Sequence, residues 1–83
     1  MNKDELRGKI EHTRERIEAR KREADKTLAR ISSVANGTQR DMKLVEFLKE
    51  ETGRLESQIS DRIVLEGEEQ KLLEQYRNAP DQD

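Results

Sequence analysis

The chain predicts an all-α fold, an antiparallel two-helix coiled-coil hairpin that dimerises into a four-helix bundle. Three observations carry this reading. Apolar residues recur at three- and four-residue intervals along most of the sequence, and Asn36-Gly37-Thr38 breaks that rhythm near its middle. Charged residues make up 43% of the chain and hydrophobic ones 30%, which leaves little material for a closed core in 83 residues.

Helix 1 is expected from about 3 to 35. Asn2 serves as N-cap, Glu5 completes a capping box, and Met1 is placed to staple onto Leu6. Leu6, Ile10, Thr13, Ile17, Ala24, Thr27, Ile31 and Val34 then follow a 4-3 rhythm that only Arg20 and Lys21 interrupt, while Leu28 and Ala35 widen the stripe near the turn. A polar residue at such a seam position fixes register at a cost in stability.

The turn is expected at 36–38. Gly37 would close helix 1 in the left-handed conformation, and the Thr38 hydroxyl would cap the next helix. Helix 2 is then expected from about 39 to 77, stopped by Pro80, with 80–83 as a frayed tail; residues 1–79 form one helical-hairpin domain. Its first half is patterned through Val45, Leu48, Thr52, Leu55 and Ile59. Continuing that frame would place Arg62, Glu66 and Glu69 at the seam, so a register shift is expected between Ile59 and Leu65.

Folding back at Gly37 sets Ile31 against Met42 or Val45, Ile17 near Leu55 or Ile59, and Ile10 near Ile63. Charge agrees with antiparallel pairing. Residues 1–37 carry 10 basic and 7 acidic side chains, and residues 38–83 carry 7 basic and 12 acidic ones. A lone hairpin buries one strip per helix, and Gly8, Gly53 and Gly67 each cost about 1 kcal/mol of helix propensity. Cysteine is absent and His12 is the only histidine, so disulfides and a structural metal are not available as supports. A homodimer through Met42, Leu44 and Phe47 is the expected remedy. Leu, Ile, Val and Phe total 17 of 83 residues, near the level at which chains stay unfolded, but their periodicity and the net charge of −2 favour a folded oligomer.

Chemistry finds little support. His12 has no metal-motif spacing around it, and the carboxylates at Glu50, Glu51, Glu66, Glu68 and Glu69 read as a solvated acidic face without a pocket to separate their pKa values. The serines have no base at motif spacing, and there is no phosphate-binding loop. No enzyme, cofactor, metal or small-molecule substrate is expected. No run reaches about 18 apolar residues and no signal-peptide core opens the chain, so a cytoplasmic protein without a membrane partner is expected.

The expected function is a non-enzymatic protein-protein interaction module, an adaptor, assembly factor or regulator of a larger protein. Its contact residues would be Ile63, Leu65, Leu72, Leu73 and Tyr76, on a part of helix 2 expected to extend past helix 1. The alternative is a nucleic-acid-binding regulator of structured RNA or duplex that uses Arg16, Arg20 and Lys21. Interspersed acids dilute that basic face, and two aromatic residues offer almost no stacking platform.

Overall fold

Two helices pack against each other along their length, and the computed structural model describes residues 2–80. The expected Met1 staple and the 81–83 part of the tail lie outside the described residues. Helix α1 spans Lys3–Ala35 and α2 spans Met42–Asn78, giving a rod of 65 × 15 × 12 Å.

Local chemistry sets the start of α1. Asn2 is extended, and its side-chain oxygen accepts from the Glu5 backbone N–H at 2.8 Å; Asp4 and Glu5 place negative charge against the positive end of the helix dipole.

The turn departs from expectation. No described residue has positive φ, so Gly37 does not close α1 in the left-handed conformation. Asn36 stays near helical geometry and donates to Ser32 O, while Gly37 N–H donates to Val34 O at 3.0 Å, a tightened last turn in place of a left-handed cap. α1 has no basic residue in its last turn; from the loop, the Arg40 guanidinium donates to Ala35 O at the helix end and to the loop carbonyls of Gly37 and Gln39. The N-cap of α2 is Asp41, not Thr38. Its carboxylate accepts from the Lys43 and Leu44 N–H groups at 3.1 and 3.3 Å and from the Gln39 side chain at 2.9 Å. Aspartate caps better than threonine and adds a charge that the helix dipole favours, so α2 starts three residues later than expected. At the far end Ala79 turns extended, as the residue before a proline is driven to do.

The seam of α1 matches its stripe, with Leu6, Ile10, Thr13, Ile17 and Thr27 buried and Arg20, Ala24, Ile31 and Val34 half-buried. In α2 the seam runs through Leu44, Leu48, Glu51, Leu55, Gln58, Arg62, Leu65, Glu69, Leu72, Tyr76 and Ala79, a 4-3 alternation without a break, with Phe47 and Leu73 half-buried beside it. The expected register shift between Ile59 and Leu65 is therefore absent. Val45, Thr52 and Ile59 sit one residue outside the seam and are exposed.

Most polar side chains at the seam have partners. Glu51 accepts from Arg30, Gln58 from the Thr27 hydroxyl at 2.9 Å, and Glu69 from Arg14 at 2.7 Å. Arg62 Nε lies 3.0 Å from Glu66 Oε1, an ion pair out of line for a hydrogen bond. Such pairing offsets the desolvation that an unpaired polar group would suffer there.

These contacts also correct the pairing. Ile17 lies between Arg14, which meets Glu69, and Arg20, which meets Asp61; it therefore faces the stretch around Leu65, about two helical turns beyond the expected Leu55 or Ile59. Arg30 already reaches Glu51, so the first turn of α2 runs alongside the loop and not alongside α1. Arg7 donates to the Tyr76 hydroxyl, which places the end of α2 over the first turns of α1. The expected extension of helix 2 past helix 1 is thus overturned by the same shift.

Candidate interaction surface

Two grooves flank the Ile17 and Leu65 layer and define the sides of the rod. One is lined by Arg14, Ile17, Glu18, Lys21, Glu66 and Glu69, the other by Arg16, Arg20, Asp61, Val64, Leu65 and Glu68. Residues seven apart on such a helix share a side. The first flank therefore continues from Arg14 and Lys21 to Leu28 on α1, and from Glu66 back to Ile59, Thr52 and Val45 on α2. The second continues from Asp61 back to Arg54 and Phe47.

The first flank changes character along its length. Near the termini it is polar, with Arg14 bonded to Glu69 and Lys21 3.5 Å from Glu18. Toward the turn it becomes apolar. Leu28 is 50% exposed, Val45 and Ile59 are exposed, and the adjoining row adds Met42 at 66% and Ile63 at 58%. Between them lies a shallow groove lined by Val45, Leu48, Lys49, Thr52, Gly53 and Glu56. Lys49 and Glu56 make no ion pair or hydrogen bond among the described residues.

The five residues expected to contact a larger protein are not brought together. Ile63 is exposed, but Leu65 is 4% exposed and belongs to the core, while Leu72, Leu73 and Tyr76 are half-buried at the terminal end of the rod. Tyr76 is further engaged by the Lys3 ammonium, 5.2 Å from its ring centroid. The Tyr76 hydroxyl and neighbouring acids push the Arg7 guanidinium pKa above its usual value.

The expected dimer residues also separate. Met42 joins the first flank, Leu44 lies in the seam, and Phe47 falls on the second flank, half-buried. Of the expected nucleic-acid residues, Arg20 pairs with Glu23 at 2.9 Å and Asp61 at 3.7 Å, Lys21 pairs with Glu18, and Arg16 alone has no acidic partner among the described residues. His12 is exposed, and no cluster of three potential metal ligands occurs among the described residues.

The surface that sequence reasoning missed is Val45, Lys49, Thr52, Glu56 and Ile59. Its signal was present as the apolar row left over once Glu51, Gln58, Arg62 and Glu69 are accepted as seam residues. The structure defines a class, the two-helix all-α hairpin; no helix among the described residues is long and apolar enough to cross a membrane. No known family, curated protein or solved structure matches the chain.

Proposed function

We propose that this protein is a non-enzymatic helical interaction module, working in the cytoplasm as a small adaptor, assembly factor or regulator of a larger protein. One observation carries the reading. The intramolecular seam is complete from end to end, yet Leu28, Met42, Val45, Ile59 and Ile63 remain uncovered on one side. Apolar rows of this kind are the usual means by which amphipathic helices dock into grooves or bundles.

The test is capture of protein partners from a native lysate under nuclease treatment, by the wild type and by a Val45→Glu/Ile59→Glu variant. Both substitutions are on exposed positions, so helicity is expected to persist. Partners lost only with the variant support the module; partners retained by it remove this flank from the function. Nucleic-acid binding through Arg16, Arg20 and Lys21 is the weaker reading, because two of the three cations already face acids within the chain.

A further inference from the structure

The apolar flank has a symmetry of its own. Lys49 and Glu56 lie one heptad apart, and the point midway between them falls between Thr52 and Gly53, on the floor of the shallow groove. Moving outward from that point in either direction meets a charge, then apolar residues: Lys49, then Val45 and Met42 one way; Glu56, then Ile59 and Ile63 the other. Running the helix backwards exchanges Lys49 with Glu56 and Met42 with Ile63, and brings Val45 and Ile59 to within one residue of each other's mirror positions. An isologous two-fold contact requires this property, since each residue must complement its own mirror position.

The geometry points to a second copy of this chain as the occupant of the flank, with the two α2 helices antiparallel about an axis between Thr52 and Gly53. This inference rests on the interaction-module reading and names its partner. Lys49 of each copy meets Glu56 of the other, so both unpartnered charges are satisfied twice over. Val45 and Met42 pack against Ile59 and Ile63, and Leu28 covers the edge from α1. Three features agree with this placement. Lys49 and Glu56, the two charges on this strip, have no ion pair or hydrogen bond among the described residues, whereas nearby Glu51 and Arg54 are already paired. A Cβ at Gly53 would meet nothing within 4 Å, so the hairpin itself gives no packing reason for a residue that weakens the helix by about 1 kcal/mol, whereas a close helix crossing does. The apolar row also ends where the shared stretch from Met42 to Ile63 ends, about 30 Å of helix. Because that stretch is the turn-proximal half of α2, the two hairpins overlap by their turn ends and point apart.

Charge exchange tests the axis. Sedimentation equilibrium should find a dimer, and Lys49→Glu or Glu56→Lys alone should each raise its dissociation constant about tenfold, since each turns two attractive pairs into repulsive ones. The Lys49→Glu/Glu56→Lys double variant should restore wild-type affinity. As the chain has no cysteine, Thr52→Cys is a unique probe and should cross-link into a covalent dimer with a short thiol-specific reagent, whereas Ser33→Cys should not. Circular dichroism checks that each variant remains helical. A dimer in which the double variant fails to restore affinity, or in which Thr52→Cys does not cross-link, overturns this axis. A monomer throughout the micromolar range that still captures proteins through Val45 and Ile59 overturns the second copy but keeps the module reading. A monomer with no flank-dependent capture removes both.

Discussion

Thr27 and Gln58 are joined by a 2.9 Å hydrogen bond inside the seam, with Thr27 fully buried. The same hydroxyl accepts from Arg30 at 3.0 Å, and Arg30 in turn holds Glu51, which is also buried. One polar layer therefore fixes which residues of α2 can face α1. Sliding the helices by a heptad would set Thr27 beside Leu65 and strand Gln58 without its donor, and so the layer acts as a register pin.

Thr27→Val should destabilise the hairpin by about 1–3 kcal/mol, because it leaves Gln58 without its donor in a covered position. Combining it with Gln58→Leu should recover much of that loss while loosening register, as replacement of buried polar pairs by apolar ones often does. Urea denaturation reads the stability. Amide exchange reads the register, with slower protection gradients replacing a single pairing in the double variant.

Leu65 and Ile63 are two residues apart and should behave as opposites. Leu65→Ala removes a core side chain and should cost about 2–5 kcal/mol, enough to unfold a small hairpin, and Leu6→Ala should do the same. Ile63→Ala should stay within about 0.5 kcal/mol in the isolated hairpin. Thermal melts at low protein concentration, where self-association contributes least, compare them.

Asp41 gives the acid limb a specific source. Its pKa is lowered, chiefly by the Gln39 side-chain hydrogen bond; desolvation opposes this, and the Leu44 and Lys43 N–H groups lower it further. A depressed folded pKa means that stabilisation is present above the ordinary aspartate range and is lost as pH falls through the folded value. Asp41→Asn should keep the cap yet flatten the melting temperature across that acid range, whereas Asp41→Ala should lower it at neutral pH as well.

Gly8 and Gly67 are helical, and a Cβ on either would meet nothing within 4 Å. Gly8→Ala and Gly67→Ala should each stabilise the protein by about 0.5–1 kcal/mol. Gly53→Ala should strengthen the helix in the same way but weaken the dimer. Opposite signs for monomer stability and self-affinity at this one position, measured by denaturation and sedimentation, would separate the three glycines.

The capping box at Asn2 and Glu5, the α1 stripe and the break after Ala35 were legible because each depends on neighbours a few residues away. The α2 seam was not. Hydrophobic periodicity favoured Val45, Thr52 and Ile59, and only cross-helix partners such as Arg30 for Glu51 and Arg14 for Glu69 make the polar frame one residue earlier the lower in energy. That single-residue error in frame produced the spurious register shift, whereas the misplaced pairing came from expecting the turn at 36–38 when α2 starts only at Met42; together they dispersed the expected interface residues. The cap at Asp41 was visible in residue type, but a glycine followed by threonine presented a nearer stop and start.

Both seams keep the seven-residue repeat without a skipped or inserted residue, from Leu6 to Val34 and from Leu44 to Ala79. That repeat is slightly shorter than two natural turns of an α-helix, so the pair must wind left-handed, with a pitch of about 150 Å. Over a 65 Å rod the winding carries each side through a little under half a revolution. A straight partner laid along the molecule loses contact with any one side after a few turns, and the apolar row that begins at Met42 gives way to charge once Glu66 is reached. Winding thus limits how long a docking strip on this rod can be, and the residues stop near that limit.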